Sequence, residues 1–284
     1  MTTKKTKKDS RKEMSFLEHL EELRWHLIRA TLSIVIVAVV AFVFKGFIFD
    51  TVIFGPKDAD FVTYRVLCDI SKTLGMQDDF CFSELPFTIQ SRTVGGQFST
   101  HIWVSIAVGF IIAFPYIIYE FWKFVSPGML QNEKKSARGF IFFSSLLFFM
   151  GVLFGYYVIT PFSVNFLGTY QVSHHVLNEF DLGSYIGLVR TSVLASGIIF
   201  ELPMLIYLLT KAGIVSSRVL RKQRKINIVV VLTISGIITP PDVASQIIVS
   251  IPVLILYEIS ILIARSIEKN RQKMEAKNAA ASSS

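Results

Sequence analysis

An all-α fold that crosses a membrane several times is the class this sequence predicts, and three observations predict it. Hydrophobic residues make up 52% of the 284-residue chain and charged residues only 18%, with a mean hydropathy of +0.53. A soluble domain approaches half apolar only when glycine is counted as well. The apolar residues also fall in blocks of about 18–20, the length that crosses a bilayer core, and the stretch 34–44 holds no polar residue at all. Finally, lysine and arginine gather in alternate connecting segments, the asymmetry that sets orientation in a membrane.

The elements follow in order. Residues 1–13 form a basic arm poor in apolar side chains. Ser15 with Glu18 three residues later fits a capping box. Phe16, Leu20, Leu23 and Leu27 then repeat on one helical face, predicting a short amphipathic helix that leads into a first span at about 26–46. Residues 50–97 are a long polar segment, more than a plain loop needs. A second span covers about 98–122 and is interrupted by Pro115. A third covers about 140–159 and is expected to stop at Thr160-Pro161. After a polar loop at 161–185, a fourth span at about 186–210 carries Arg190, Glu201 and Pro203.

Two short apolar blocks close the pattern, at about 226–239 and 245–263. Thr239-Pro240-Pro241-Asp242 makes the structural turn between them, because consecutive prolines cannot continue a helix. The prediction is therefore six transmembrane helices, the last two short, in a concave bundle. The membrane domain runs 14–265, with external loops at about 50–97, 161–185 and 239–244 and a cytoplasmic tail at 266–284. The loop 161–185 has no lysine or arginine, whereas the arm, the segments after spans two and four, and the tail are basic. Both termini are accordingly expected in the cytoplasm. No short apolar core precedes the first span, so that span should act as an uncleaved anchor. No internal repeat is visible, which weighs against transporters built from inverted repeats.

The net charge of +8 would suggest nucleic acid in a soluble protein. Here its distribution assigns it to orientation, and no nucleic-acid partner is expected. No phosphate loop, metal-spaced cluster or nucleophile elbow is present, so neither catalysis nor a cofactor or metal is expected. The adjacent pair His174-His175 does not share a face and makes a poor metal site.

Cys68 and Cys81 fall together in the first loop. In an oxidising periplasm they can form a disulfide; the alternative is two free thiols. Glu201 lies within the fourth span, in Phe200-Glu201-Leu202-Pro203. A carboxylate at membrane depth is costly and faces a cavity or a partner, while Pro203 removes a backbone hydrogen bond. Structural pairing, proton relay and docking of another helix all remain open for it. Among the carboxylates on the basic side, Glu18 is the cap and Glu22, one turn later, is freer to meet a ligand. Glu133, in Gln131-Asn132-Glu133-Lys134-Lys135, reads on physics alone as a local ion pair.

Four motifs now align in order. They are His19-Leu20-Glu21-Glu22-Leu23-Arg24; Tyr119-Glu120-Phe121-Trp122-Lys123-Phe124-Val125-Ser126-Pro127-Gly128 with Glu133-Lys134; Phe200-Glu201-Leu202-Pro203; and Ile238-Thr239-Pro240-Pro241-Asp242 with Ser245-Gln246, Pro252 and Tyr257-Glu258. Together they resemble the TatC family over about 15–265. His26 stands where that family has a basic residue, and Leu130 and Glu133-Lys134 stand where it has an aromatic followed by Glu-Arg. The first loop is longer than the family's, so nothing is transferred to 57–92.

The resemblance implies a receptor for twin-arginine signal peptides and a core subunit of a translocase in the bacterial cytoplasmic membrane. Such a translocase exports folded proteins on the protonmotive force, with single-span TatA- and TatB-type subunits, further TatC copies and membrane lipid as partners. It also implies that Glu22, Glu133, Arg24 and Phe124 bind the signal peptide, and that Glu201 and Pro203 dock a partner helix. Two carboxylates suit two arginines, because the guanidinium fork pairs bidentately where lysine cannot. The competing reading is a proton-coupled secondary transporter using Glu201.

Overall fold

The computed structural model describes residues 16–73, 75, 81, 86–126, 137–173, 175–239 and 243–282. Among the described residues, five helical stretches are long and apolar enough to cross a membrane: Leu20–Val43, Gly96–Val125, Arg138–Thr169, Leu182–Lys211 and Ser245–Lys273. The molecule is built around them. The end of the bundle at which the first helix begins is called the N-face, and the opposite end the loop face.

Helix α1 (Phe16–Val43) is one unbroken helix rather than a short amphipathic helix followed by a span. It packs along α3 (Gly96–Val125), which runs the opposite way and continues through Pro115. A Cβ on Gly109 would sit 2.7 Å from the Ile34 carbonyl oxygen, so only glycine admits this approach. Small residues at helix interfaces let backbones meet in just this way.

Between α1 and α3 the long first loop is largely structured. A π-helical turn (Phe47–Ile53) and a 3-10 turn (Gly55–Lys57) lead to helix α2 (Val62–Thr73) and strand β1 (Thr88–Gln90). A disulfide joins Cys68 and Cys81, whose Cα atoms are 4.7 Å apart. Strand β1 pairs in parallel with β2 (Glu179–Asp181), Ile89 opposite Phe180. Tyr64 is buried and its hydroxyl donates to the carbonyls of Pro56 (3.1 Å) and Pro161 (3.0 Å). Burial raises its pKa well above the usual tyrosine value, which keeps that donor proton in place.

The third span corrects the expectation of a stop at Thr160-Pro161. Helix α4 (Ala137–Phe154) passes through a π segment (Gly155–Ile159) into α5 (Thr160–Thr169). The wide turn takes up the proline, and the Tyr157 carbonyl four residues before it accepts from the Thr63 hydroxyl in place of the missing N–H. The fourth span is two helices, α6 (Leu182–Phe200) and α7 (Leu202–Lys211), broken at Glu201. Cβ atoms on Gly151 and Gly155 would lie 2.6 and 2.7 Å from the Ser196 and Ser192 carbonyl oxygens, so α4 and α6 are in backbone contact. Phe148, fully buried and stacked on Phe114 at 3.6 Å between ring centres, fills the space between α3 and α4.

Past the short α8 (Ser217–Lys222), α9 (Arg224–Ile238) has 15 residues, and it is not among the five membrane-length helices. The last element departs from expectation more strongly. Helix α10 (Val243–Ser282) has 40 residues, so the final span is long rather than short, and it continues helically through the segment read as a tail. Alternating charge from Arg265 onward is compatible with an exposed helix, and no proline or glycine interrupts it there. The turn residues Pro240, Pro241 and Asp242 lie outside the described residues.

Candidate functional site

Among the described residues, two buried carboxylates mark polar sites within the apolar bundle. One lies toward the N-face, between the first half of α1 and the last turns of α3. Successive turns of α1 bring Glu22, His26 and Arg29 to one side, since residues three and four apart are neighbours on a helix. The facing turns of α3 bring Tyr116, Glu120, Lys123 and Phe124. Glu120 is the hub, with only 3% of its side chain exposed. His26 Nδ1 lies 2.6 Å from Glu120 Oε2. Arg29 Nη1 is 3.9 Å from the same oxygen, and Lys123 Nζ is 3.9 Å from Oε1. A buried carboxylate needs such partners, because an isolated charge out of water is heavily disfavoured.

Glu22 is on the rim of this cluster and is differently placed. Its Oε1 is 4.0 Å from His26 Nε2, and its Oε2 is buried with no hydrogen-bond partner among the described residues. The Phe124 ring lies edge-on to His26, 6.3 Å between centres. Lys123 also sits 4.2 Å above the Tyr119 ring, a cation–π contact that orients it along the rim.

Of the residues singled out in the sequence, the structure brings Glu22 and Phe124 into one cluster. Arg24 is exposed and stands two positions from Glu22, which places it on a different face of α1. Glu133 and the side chain of Glu18 lie outside the described residues. Glu120 and His26 were not singled out as site residues, although Glu120 stood in a quoted motif and His26 was noted as a departure. Their pairing spans 94 positions and has no local signature, but a glutamate within an apolar run, Tyr119-Glu120-Phe121-Trp122, was the available signal.

The second site lies inside the bundle. Helix α6 ends at Phe200 and α7 begins at Leu202 with Pro203 in its first turn, so Glu201 occupies the break itself. The Ser144 hydroxyl of α4 donates to Glu201 Oε2 at 2.5 Å. Oε1 is buried without a hydrogen-bond partner among the described residues. Ser144 and Pro203 are themselves fully buried. No group of three or more His, Cys, Asp or Glu among the described residues is arranged to hold a metal ion.

A polar cluster at one end of a helical bundle and a carboxylate at a helix break occur in many membrane proteins, so the comparisons decide the family. Residues 18–252 match the family model described as Sec-independent protein translocase protein (TatC). The chain belongs to the TatC family. It is 41% identical to the Sec-independent protein translocase protein TatC of Blattabacterium sp. subsp. Periplaneta americana, covering 93% of this chain and all of that one. The TatC of Aquifex aeolicus is 32% identical over 92% of this chain and 99% of its own. A crystal structure of the twin arginine translocase receptor TatC superposes with a TM-score of 0.63 at 32% identity, covering 88% of this chain and 100% of that chain. A second crystal structure, of the receptor in DDM, gives 0.67 at 33%, covering 87% and 99%. This TatC-family chain is therefore a multi-pass membrane protein and a translocase subunit, a transport role rather than a catalytic one. Nothing in these relatives supports the proton-coupled secondary transporter.

Proposed function

We propose that this chain is the twin-arginine signal-peptide receptor of a Tat translocase, with the N-face in the cytoplasm and both termini on that side of a bacterial inner membrane. The observation that carries the reading is Glu22: a carboxylate on the rim of a cationic cluster, with a buried oxygen that no described residue satisfies. Such an oxygen is a standing cost of about 1–3 kcal/mol, or more for a charged group, and a guanidinium would relieve it. Glu133 supplies the second carboxylate, Phe124 packs against the peptide, and Arg24 meets it from the outer face of α1. The basic surroundings of Glu22 disfavour peptides that are merely cationic.

In this reading α9 completes a sixth crossing. At about 1.5 Å per residue it is shorter than an average bilayer core, so the membrane thins beside it and the bundle is concave there. The Glu201 break opens to that side, and Glu201 with Pro203 docks a polar group of a single-span TatA- or TatB-type helix. Further copies of this chain complete the complex, and the protonmotive force drives export. The turn at Pro240, Pro241 and Asp242 returns the chain across the membrane.

The test is peptide binding to the full chain in detergent. A signal peptide with paired arginines binds, its twin-lysine counterpart binds at least tenfold more weakly, and Glu22→Ala or Glu133→Ala removes the preference. Equal affinity for the two peptides in the unmodified chain would reject the receptor reading.

A further inference from the structure

Helix α2 belongs to the part of the first loop to which the family resemblance gives no role, and it has three faces. Tyr64 and Ser71 are buried against the protein, with Leu67 and Cys68 half-buried beside them. Arg65, Asp69 and Lys72 form an exposed polar flank. Val62, Val66 and Ile70 form an exposed apolar flank, each 46–50% exposed. At about 100° per residue the three apolar positions span about 80° of the helix, and the polar flank lies beside them rather than opposite. A helix wholly in water has no use for such a flank.

Its depth is fixed by what it touches. The Thr63 hydroxyl donates to the Tyr157 carbonyl, and the Tyr64 hydroxyl to that of Pro161. The third span starts near Arg138 at the N-face. Tyr157 is nineteen residues further on, about 29 Å at 1.5 Å per residue, and a hydrocarbon core is about 30 Å thick. Helix α2 therefore lies at the far boundary of the core, not above it. Beside it, Phe61 stacks on Tyr157 at 5.7 Å and meets Tyr156 edge-on at 5.5 Å. Such a group of aromatic rings is typical of the membrane–water boundary. Toward the N-face the exposed Leu153, Met150 and Phe149 of α4 continue the apolar surface.

We infer that α2 is an interfacial helix: its Val62–Val66–Ile70 flank rests on the acyl chains of the loop-face leaflet, and Arg65 and Lys72 reach the headgroup layer. The Thr63 and Tyr64 hydrogen bonds to the third span hold the helix from its protein side, and the half-buried Cys68 of the disulfide lies away from the lipid flank. Half-buried amphipathic helices hold such a position through apolar area together with basic residues. The inference does not depend on peptide binding and stands if the receptor reading fails.

The test places one extra tryptophan on each flank of the full chain, Val66→Trp, Ile70→Trp or Lys72→Trp, and reads its emission as the difference from the unmodified protein. The chains are reconstituted at low protein density into phosphatidylethanolamine–phosphatidylglycerol vesicles, with or without bromine on the acyl chains. An intact disulfide, seen as the same mobility shift on reduction that the unmodified protein shows, certifies the fold, and Val66 and Ile70 serve as independent probes of the same flank. Brominated chains should quench Val66→Trp and Ile70→Trp several-fold more than Lys72→Trp, and aqueous acrylamide should show the reverse order. Equal quenching on both flanks overturns the inference. Protection of Val66→Trp from both quenchers overturns it too, because the flank is then covered by protein, a second copy or another subunit.

Discussion

Glu120 and Glu201 are both carboxylates taken out of water by a helical bundle, yet they are treated in opposite ways. Glu120 is surrounded by His26, Arg29 and Lys123, drawn from two helices, and both of its oxygens have cationic neighbours. Glu201 accepts from the Ser144 hydroxyl and has the Phe148 backbone beside it; among the described residues it has no charged partner, and its Oε1 is without a hydrogen-bond partner. The difference teaches how to sort buried charge. A carboxylate whose capacity is filled from within holds helices together, and one with an oxygen in reserve has capacity left to accept from another group. By that criterion Glu22, with its unpartnered Oε2, stands with Glu201 although it lies near Glu120.

The comparison breaks most readily at Glu120. Glu120→Ala should cost about 3 kcal/mol of stability, because removing one partner of a buried pair strands the other; thermal unfolding in detergent measures it. A loss below about 0.5 kcal/mol, the level of an ordinary surface change, would mean the cluster is not structural. Next in size is Glu22→Ala. It should leave the unfolding temperature in place while lowering affinity for the paired-arginine peptide by about 1.5–3 kcal/mol, the range for a hydrogen bond to a charged group. Calorimetry that found the reverse pattern would exchange the roles of Glu22 and Glu120.

At Glu201 the expected effect is smaller. Glu201→Ala should weaken crosslinking to a single-span partner by about 0.6–2 kcal/mol, the range for interhelical hydrogen bonds in membranes. Glu201→Gln, which keeps the hydrogen-bonding shape, should retain it. Equal loss in both variants would tie docking to the charge instead. The smallest effect belongs to His26→Arg. A guanidinium can hold Glu120 as the imidazole does, so stability should change by no more than about 0.5 kcal/mol. A larger drop would show that the imidazole geometry itself matters.

Much of this architecture was legible in the chain because membrane spans are coded locally. Apolar length located all five membrane-length helices, and Glu201 declared itself as a charge in an apolar run. Pro161 misled, because a proline reads as a stop unless a π segment precedes it, and π turns have no sequence signature. The last helix misled in a related way. Its span was read from hydropathy, but helicity after Arg265 depends on backbone propensity rather than apolarity, so the two boundaries do not coincide. The structural half of the N-face cluster was missed because pairing between His26 and Glu120 belongs to tertiary contact. Glu22 could be found because its motif was recognisable, and Ser144 could not, because a serine opposite Glu201 looks like any other serine in a helix.

The length of α10 has a mechanical consequence. Thirty residues separate Pro252, inside the helix, from Ser282 at its end, about 45 Å of uninterrupted rod at 1.5 Å per residue. Glu268 grips that rod partway along, accepting from the backbone N–H of Ser217 at 2.8 Å. A rod with a proline near one end and a clamp along its length behaves as a lever. By simple geometry, a tilt of about 10° at Pro252 sweeps the far end through about 8 Å if the clamp yields, and through very little if it holds. Tyr257, Ile261 and Ala264 pack against Ile206 and Leu220 on the same stretch, so the Ser217–Glu268 contact is the outermost of several that limit how far such a tilt could carry the end of α10.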